Sequence, residues 1–260
     1  MKHPSSRTKV IFIICLNENV HYFDVKRKGF LHVLQFWPFG IIFFTEPQLR
    51  CFVDYCLSTK DSYTYVDATG SVARALPDQK KPYLYLICFK NGNDPSNLLP
   101  LAGALLTDHS TTSIAGWLLA VRRGISAAVD KFIRPSYIVI DFSPALLNAT
   151  LLAINSTNIN AYLRWCFNAI QKNYTYDQLC SISCIRFCCA HVMHAFTRSL
   201  SKIKISKNIR KKATTAFAVL LNCNDFDQAY ELISCIIFIF GSSDFDNAEE
   251  YLDRIIAVSA

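Results

Sequence analysis

The most regular pattern along the chain is a series of short apolar runs, each closed by turn residues or by an aspartate. Residues 62–67 read Ser-Tyr-Thr-Tyr-Val-Asp and are followed by Ala-Thr-Gly, which predicts a strand with Asp67 at its carboxyl end. Residues 83–89 and 98–106 are two further apolar runs, separated by Asn-Gly and Asn-Asp-Pro. These turn signals predict a meander of three consecutive strands.

Helical spacing of apolar residues begins after the meander. Apolar side chains at positions 114, 117, 118, 121 and 125 share one face, which predicts a helix over residues 114–125 with Thr112 or Ser113 as its cap. Residues 137–141 then read Tyr-Ile-Val-Ile-Asp, a continuous apolar run typical of a strand buried on both faces. Asp141 therefore repeats the arrangement of Asp67 at the end of a strand.

The remaining chain is predicted to be mostly helical. Ser143 followed by Pro144 is typical of a helix start, with the serine as cap. Further helices are predicted over 159–170, 191–200, 213–221, 226–240 and 248–258, with one strand over 181–189. Trp117, Trp165 and Phe167 lie on predicted helices with apolar neighbours, so we expect them to be core residues and not stacking platforms for bases.

The order of these elements is three strands, a helix, a strand, a helix, a strand and a helix, which is that of the α/β RNase H-like fold. Its mixed sheet has three antiparallel and two parallel strands, flanked by helices. The first and fourth strands lie side by side, so we predict that Asp67 and Asp141 are neighbours. The predicted organisation is an N-terminal segment over residues 1–60, an RNase H-like core over 61–200, and a helical C-terminal segment over 201–260, read as part of an insertion domain.

Composition favours a globular protein with a full core, because 52% of the 260 residues are hydrophobic. No transmembrane helix is predicted, since the apolar run at 232–240 is far shorter than the roughly 20 residues that span a bilayer. Residues 10–16 follow basic residues in the manner of a signal peptide, but a buried strand is the favoured interpretation. A membrane-associated protein remains a separate alternative, resting on hydrophobicity and on three Asn-x-Ser/Thr sequons.

The eleven cysteines are scattered and several lie in apolar runs, which favours reduced thiols inside a cell. Six of the possible soft metal ligands are close in sequence: Cys180, Cys184, Cys188, Cys189, His191 and His194. Their spacing fits no standard zinc finger. A core strand with packed thiols is therefore favoured over a zinc site.

The net charge of +7 is concentrated in one short segment. Its basic residues are Lys202, Lys204, Lys207, Arg210, Lys211 and Lys212. Such a cluster can neutralise phosphates and bind DNA without sequence preference. A solvated helix face or linker is an equally weighted alternative, and a nuclear-import signal is a third.

The two strand-end aspartates suggest phosphodiester chemistry. Mg²⁺ prefers hard oxygen ligands, and two such ions held by carboxylates can stabilise both the attacking and the leaving oxygen. Asp67 and Asp141 would supply ligands of this type if the fold brings them together. Taken alone the pattern has an alternative, because an aspartate after a strand is often a turn residue or a helix cap.

Several longer motifs resemble those of Mutator-like transposases and related transposon-derived proteins, over about residues 29–194. They are Tyr-Val-Asp-Ala-Thr-Gly-Ser-Val at 65–72, Pro-Ser-Tyr-Ile-Val-Ile-Asp-Phe-Ser-Pro at 135–144, and Cys-x-x-His at 188–191. Pro38-Phe39 and Thr45-Glu-Pro-Gln-Leu at 45–49 accompany them upstream. The resemblance implies an RNase H-like fold, hydrolysis of DNA at transposon ends and strand transfer with Mg²⁺ or Mn²⁺.

By this resemblance, Asp67 and Asp141 would be the first two acids of a DDE triad, and Cys188 and His191 a structural or metal-linked element. The third acid is not fixed, and Glu231, Glu249 and Glu250 are the glutamates in the right region. We take Glu231 as the candidate and expect catalysis to be impaired. The expected partner is DNA, in the nucleus, with assembly into a homo-oligomer left open. The alternative is a non-catalytic DNA-binding or protein-interaction module on the same fold.

Overall fold

The computed structural model describes residues 30–70, 72–75, 78–91, 97–223 and 225–241. The strands are β1 (Leu31–Phe36), β2 (Phe39–Phe44), β3 (Tyr63–Thr69), β4 (Tyr83–Lys90), β5 (Leu98–Leu106), β6 (Tyr137–Ile140) and β7 (Cys184–Phe187). The helices are α1 (Glu46–Ser58), α2 (Thr111–Val129), α3 (Pro144–Thr150), α4 (Ile159–Ile170), α5 (Tyr176–Cys180), α6 (Cys189–Ser201), α7 (Lys207–Asn222) and α8 (Phe226–Gly241), and a π-helical segment, Leu151–Asn155, continues α3.

These strands form one mixed sheet in the order β1-β2-β5-β4-β3-β6-β7. Strands β3, β4 and β5 are antiparallel neighbours, whereas β6 runs parallel to both β3 and β7. The predicted α/β class is thereby confirmed, with three antiparallel strands extending into two parallel ones. Strands β1 and β2 form an antiparallel hairpin that extends the same sheet beyond β5, so residues 31–44 contribute to the sheet.

The core lies between one face of the sheet and helices α1, α2 and α3. Trp117 of α2 is fully buried, together with Phe52 of α1 and Leu146 of α3, which confirms the core position predicted for Trp117. Ser143 caps α3 and accepts a hydrogen bond from the Leu146 amide, with Pro144 as the first helical residue. Helix α3 therefore begins where its sequence predicts, directly after β6.

Helix α4 packs against the outer strand through Tyr162, whose hydroxyl accepts a hydrogen bond from the Ile185 amide at 2.7 Å. Trp165 is half-buried between Tyr162 and Tyr174, with ring centroids 5.8 and 6.3 Å away. The prediction that Phe167 is a core residue is wrong, because its side chain is 62% exposed. The apolar arc of α4 is wider than the surface that the sheet edge covers.

Several local boundaries differ from the expectation. Strand β3 continues past Asp67 to Thr69, and α7 begins at Lys207 instead of residue 213. The strand predicted over 181–189 is restricted to Cys184–Phe187, because residues 176–180 form a short helix that begins with a Thr175–Gln178 capping box, and Cys188 caps α6. Helix α2 begins at Thr111 and is capped by Ser110, not by Thr112 or Ser113. The side chains of Thr175 and Ser110 cap α5 and α2 and decide where these helices begin, whereas Cys188 makes no side-chain capping hydrogen bond.

Three expectations fall outside the described residues: the strand at 10–16, the helix at 248–258, and the glutamates at 249 and 250. Within the described ranges, the helices are all too short or too polar to cross a bilayer.

Candidate functional site

The candidate site lies at the carboxyl ends of β3 and β6. The parallel register of the two strands places Val66 beside Ile140. Asp67 follows Val66 and Asp141 follows Ile140 in the sequence. Neighbouring strands are about 4.8 Å apart. The fold therefore brings together the two aspartates that the sequence predicted to be neighbours.

Asp67 occupies the outward side of this edge. Thr64 and Val66 are buried on one face of β3 while Asp67 is exposed, as expected from the alternation of side chains along a strand. One carboxylate oxygen, Oδ1, accepts a hydrogen bond from the Ala68 amide at 2.8 Å. The carboxylate of Asp67 also raises the pKa of the Cys88 thiol on the neighbouring strand, as a smaller effect added to burial.

Asp141 is held in a more enclosed position. It is half-buried, and its Oδ1 atom is shielded from solvent without a hydrogen-bond partner. Burial raises the pKa of this carboxyl, the negative charge of Asp67 raises it further, and the nearby His191 opposes both effects. Asp141 is therefore a buried acceptor that lacks a donor and is repelled by a second carboxylate. A site of this kind favours a cation or a proton.

Two helices begin beside the carboxylates. Helix α3 starts at Pro144, three residues after Asp141, and α6 starts at Cys189, after Cys188 donates its amide to the Ile140 carbonyl at 2.7 Å. His191 lies in the first turn of α6 and is exposed. The resemblance drew attention to His191 through the Cys-x-x-His motif, and the structure places this residue near Asp141.

Sequence reasoning missed a further pair of residues at this edge, Tyr85 of β4 and His109 before α2. Tyr85 pairs with Ala68, the residue after Asp67, and its hydroxyl lies 3.0 Å from Nδ1 of His109. Burial raises the pKa of Tyr85 to about 12, with a further contribution from the charge of Asp141. Neither residue stands in a recognisable motif, and only the strand register reveals that they border the site.

The other predicted ligands lie elsewhere. Glu231 is exposed on α8, and its assignment as the third acid stays a prediction. Among the residues that the structure describes, no group of three or more His, Cys, Asp or Glu side chains is arranged to hold a metal ion. The cysteines and histidines between Cys180 and His194 are among these described residues.

The basic segment spans the connection between α6 and α7 and the first turns of α7. The exposed members are Lys202, Lys204, Lys207 and Lys211. Arg210 is half-buried and donates a long hydrogen bond of 3.5 Å to the Ile203 carbonyl, and Lys212 is half-buried. Lys207 is the first residue of α7, where the helix dipole disfavours a positive side chain, whereas Lys202 is the C-cap residue of α6, where the dipole favours one.

Comparison with known proteins gives one informative match. Over 177 residues the chain is 30% identical to the 120.7 kDa protein in the NOF-FB transposable element of Drosophila melanogaster. This chain is similar to a transposable-element protein. The match covers 67% of the chain but 16% of that relative, so the chain spans only a small part of the relative's length. No family model and no solved structure matches.

The similarity supports a transposon-derived origin. This agrees with the resemblance of the sequence motifs to those of transposon-derived proteins.

Proposed function

We propose that this chain is a transposase-derived protein of the Mutator-like kind, whose Asp67–Asp141 edge binds Mg²⁺ or Mn²⁺ and acts on or binds DNA in the nucleus. The observation that carries the proposal is the pairing of these two carboxylates at the ends of adjacent parallel strands, with one Asp141 oxygen buried and unpartnered. Two further observations support the proposal: the strand order β5-β4-β3-β6-β7, which is that of an RNase H-like sheet, and the similarity to a transposable-element protein.

The residues present fit a hard divalent cation. Asp141 offers an acceptor that protein donors leave unsatisfied, and Asp67 offers a second carboxylate open to solvent. Carboxylate oxygens are the ligands that Mg²⁺ prefers. When bound, such a cation would polarise a phosphodiester and neutralise negative charge as it develops. The protein holds the two carboxylates at a fixed separation, because Asp67 lies in β3, Asp141 directly follows β6, and these strands are paired in one sheet.

Catalysis by this chain is expected to be weak. A divalent cation held by two aspartates lacks the fixed geometry that in-line displacement needs, and a misplacement of about 1 Å can cost on the order of 10²-fold in rate. The described third-acid candidate, Glu231, is exposed on α8, which packs against α7. We therefore expect cation binding to be retained and cleavage to be slow.

A non-catalytic interaction module is the second candidate function, and a specific observation favours it. Leu163, Phe167 and Ile170 of α4 form a stripe at helical spacing and are 57%, 62% and 47% exposed. An exposed apolar stripe of this kind is typical of a contact surface for another protein. The basic segment near α7 would serve DNA binding under either function.

Nuclease assays test the catalytic part of the proposal. Labelled duplex DNA is incubated with the full chain in Mn²⁺, and the wild type is compared with Asp67→Ala, Asp141→Ala and the control Asp54→Ala, which removes an exposed acid of α1. We expect slow cleavage at most, and any cleavage to be lost in the first two variants only. Cleavage that persists in both would refute a role for these carboxylates.

Robust cleavage that is lost in both site variants would instead show that a third acid is present in this chain. The same assay would then be repeated with Glu231→Gln, followed by Glu249→Gln and Glu250→Gln. A direct measurement of Mn²⁺ binding separates the two candidate functions further. If the chain is an interaction module that has lost the site, Asp67→Ala and Asp141→Ala will leave Mn²⁺ binding unchanged.

A further inference from the structure

Two aromatic side chains are exposed directly beside the aspartate pair. Phe142 follows Asp141 in the sequence, so their Cα atoms are about 3.8 Å apart, and its side chain is 58% exposed. Phe187 is the last residue of β7 and pairs with Ile140, the residue before Asp141. It is 37% exposed, and its ring centroid lies 5.1 Å from that of Phe142. The two rings therefore form one exposed aromatic pair at the edge of the sheet that carries the carboxylates.

The geometry of this pair leaves ring surface open. The two ring planes are inclined at 71°, an edge-to-face arrangement, so each ring keeps at least one face that its partner does not cover. Phe52 and Phe89 pair in nearly the same way, at 5.5 Å and 72°, but both of those rings are buried in the core. Phe142 and Phe187 lack such a covering layer. Their open faces are available to a flat apolar group.

A helix end that favours a phosphate adjoins the aromatic pair. Helix α6 begins at Cys189, two residues after Phe187, so these two Cα atoms are at most about 7.6 Å apart. The first amides of a helix have no partner within the helix and favour an anion. The Cys188 side chain makes no capping hydrogen bond here, and Cys189 and His191 in the first turn are exposed. A phosphate can therefore bind next to the aromatic pair without displacing a capping side chain.

The occupant that combines a flat ring with a phosphate is a nucleotide. Aromatic side chains stack on the bases of single-stranded DNA with little dependence on sequence, whereas a base within a duplex must first leave its own stack. A protein partner would also use apolar surface. However, the adjoining carboxylates favour a cation and the helix end favours an anion, and the phosphates of DNA match both.

We propose that Phe142, supported by Phe187, is a stacking platform for an unpaired base of the DNA strand that passes the Asp67–Asp141 edge. The inference rests on the proposed function, because it names single-stranded or locally unpaired DNA as the substrate class of the same site. Phe142 contacts the base, and Phe187 holds the Phe142 ring in position. The platform therefore selects DNA in which the base next to the bound phosphate is unpaired.

The test compares two labelled single-stranded probes of the same length, a short oligodeoxythymidylate and an abasic deoxyribose-phosphate chain. Binding to the full chain is followed by fluorescence anisotropy in EDTA, so that the measurement is independent of the cation site. Repulsion from the carboxylates acts on both probes alike. Stacking of one base predicts that the wild type binds the thymidylate probe about 5-fold to 150-fold more tightly than the abasic probe.

Four variants assign this preference to the platform. Phe142→Ala removes the stacking face, Phe142→Trp keeps an aromatic face, and Phe187→Ala removes the support. Phe167→Ala is the matched control, because Phe167 is a phenylalanine of similar exposure, 62%, on α4. We expect the preference for bases to fall to about twofold or less in Phe142→Ala and to fall in part in Phe187→Ala. It should be retained in Phe142→Trp and in Phe167→Ala.

The abasic probe and a blunt duplex show whether the effect is specific to unpaired bases. Affinity for both should stay within about twofold of the wild type in Phe142→Ala, because neither probe offers an unpaired base to the platform. Equal weakening for all probes would show that Phe142 acts through the fold, and it would overturn the inference. So would a preference for bases that survives Phe142→Ala. Self-association of the DNA-free wild type that Phe142→Ala abolishes in sedimentation would assign the pair to a contact between copies, with the same consequence.

Folding of each variant is checked by circular dichroism. If Phe142→Ala does not fold, Phe142→Trp still decides, because the added indole should lose fluorescence on binding the thymidylate probe and not on binding the abasic probe. Equal responses to the two probes would contradict stacking at this position. A wild type that binds neither probe nor duplex DNA refutes the DNA part of the proposed function and the inference together. A wild type that binds both probes with equal affinity refutes the inference alone.

Discussion

Replacing Asp141 by asparagine is expected to stabilise the cation-free protein. The variant keeps the shape of the side chain but removes the charge that is buried without a hydrogen-bond partner and repelled by Asp67. Two unit charges about 5 Å apart repel by about 0.8 kcal/mol in bulk water and by about 3 kcal/mol at an effective dielectric constant near 20. Because Asp67 is exposed, the repulsion lies near the lower of these two values. We therefore expect Asp141→Asn to raise the free energy of unfolding by about 1 kcal/mol.

The dependence on pH follows from the direction of the pKa shift. The pKa of Asp141 is raised in the folded protein, so the folded state binds this proton more tightly than the unfolded state, whose pKa is about 3.9. The wild type therefore loses stability as the pH rises from about 4 through the raised pKa. The advantage of Asp141→Asn is fully present at neutral pH and disappears toward pH 4.

Urea denaturation at pH 7 and at pH 4, without divalent cations, measures this difference, and thermal melts should show a rise in Tm of about 2–4 °C at neutral pH. Asp54→Asn is the matched control, because it removes an exposed acid of α1 and should leave the free energy of unfolding within about 0.5 kcal/mol of the wild type. A variant Asp141→Asn that is less stable than the wild type at pH 7 would refute the argument that this carboxylate is an uncompensated charge.

Three further predictions concern the core, a helix cap and the basic segment. Trp117→Ala should lower the free energy of unfolding by about 3–5 kcal/mol, because the side chain is fully buried; a loss below 1 kcal/mol in urea denaturation would contradict its core position. Ser143→Ala should cost about 1 kcal/mol, because it removes the acceptor for the Leu146 amide, and Ser143→Asp, which keeps an acceptor, should restore most of it in the same measurement. Replacing the exposed Lys207 and Lys211 by alanine should weaken binding to non-specific duplex DNA and reduce the log–log salt slope by about 1.8; an unchanged slope in fluorescence anisotropy titrations would remove these lysines from the DNA contact.

Much of the sheet was predictable because its signals are local. Two strands were predicted from the apolar runs that end at Asp67 and Asp141. Each run is recognised by its apolar residues, its terminal acid and the turn or helix cap that follows. Helix α4 was predicted with the bounds that the structure gives it, Ile159–Ile170. The hairpin β1–β2 was not predicted, because residues 30–44 are apolar almost throughout and show no alternation that reveals a strand edge.

The exposure of Phe167 could not be read from the sequence either. Helical spacing shows that α4 has a wide apolar arc, but which part of that arc is covered depends on the elements beside it. The structure buries Tyr162 against β7 and leaves Phe167 in solvent. The spacing of apolar residues shows that one face of a helix is apolar. Which element covers that face is decided by tertiary packing.

The sequence by itself singled out the two aspartates and the strands that carry them, because both features follow from contiguous residues. It predicted that they are neighbours only through the order of the elements along the chain. The tertiary structure decided what surrounds them. Tyr85 and His109 are 24 residues apart, and their hydrogen bond exists because β4 pairs with β5 and His109 lies in the segment that follows β5. Burial of one Asp141 oxygen, which separates the roles of two chemically identical side chains, likewise depends on contacts between segments that are distant in sequence.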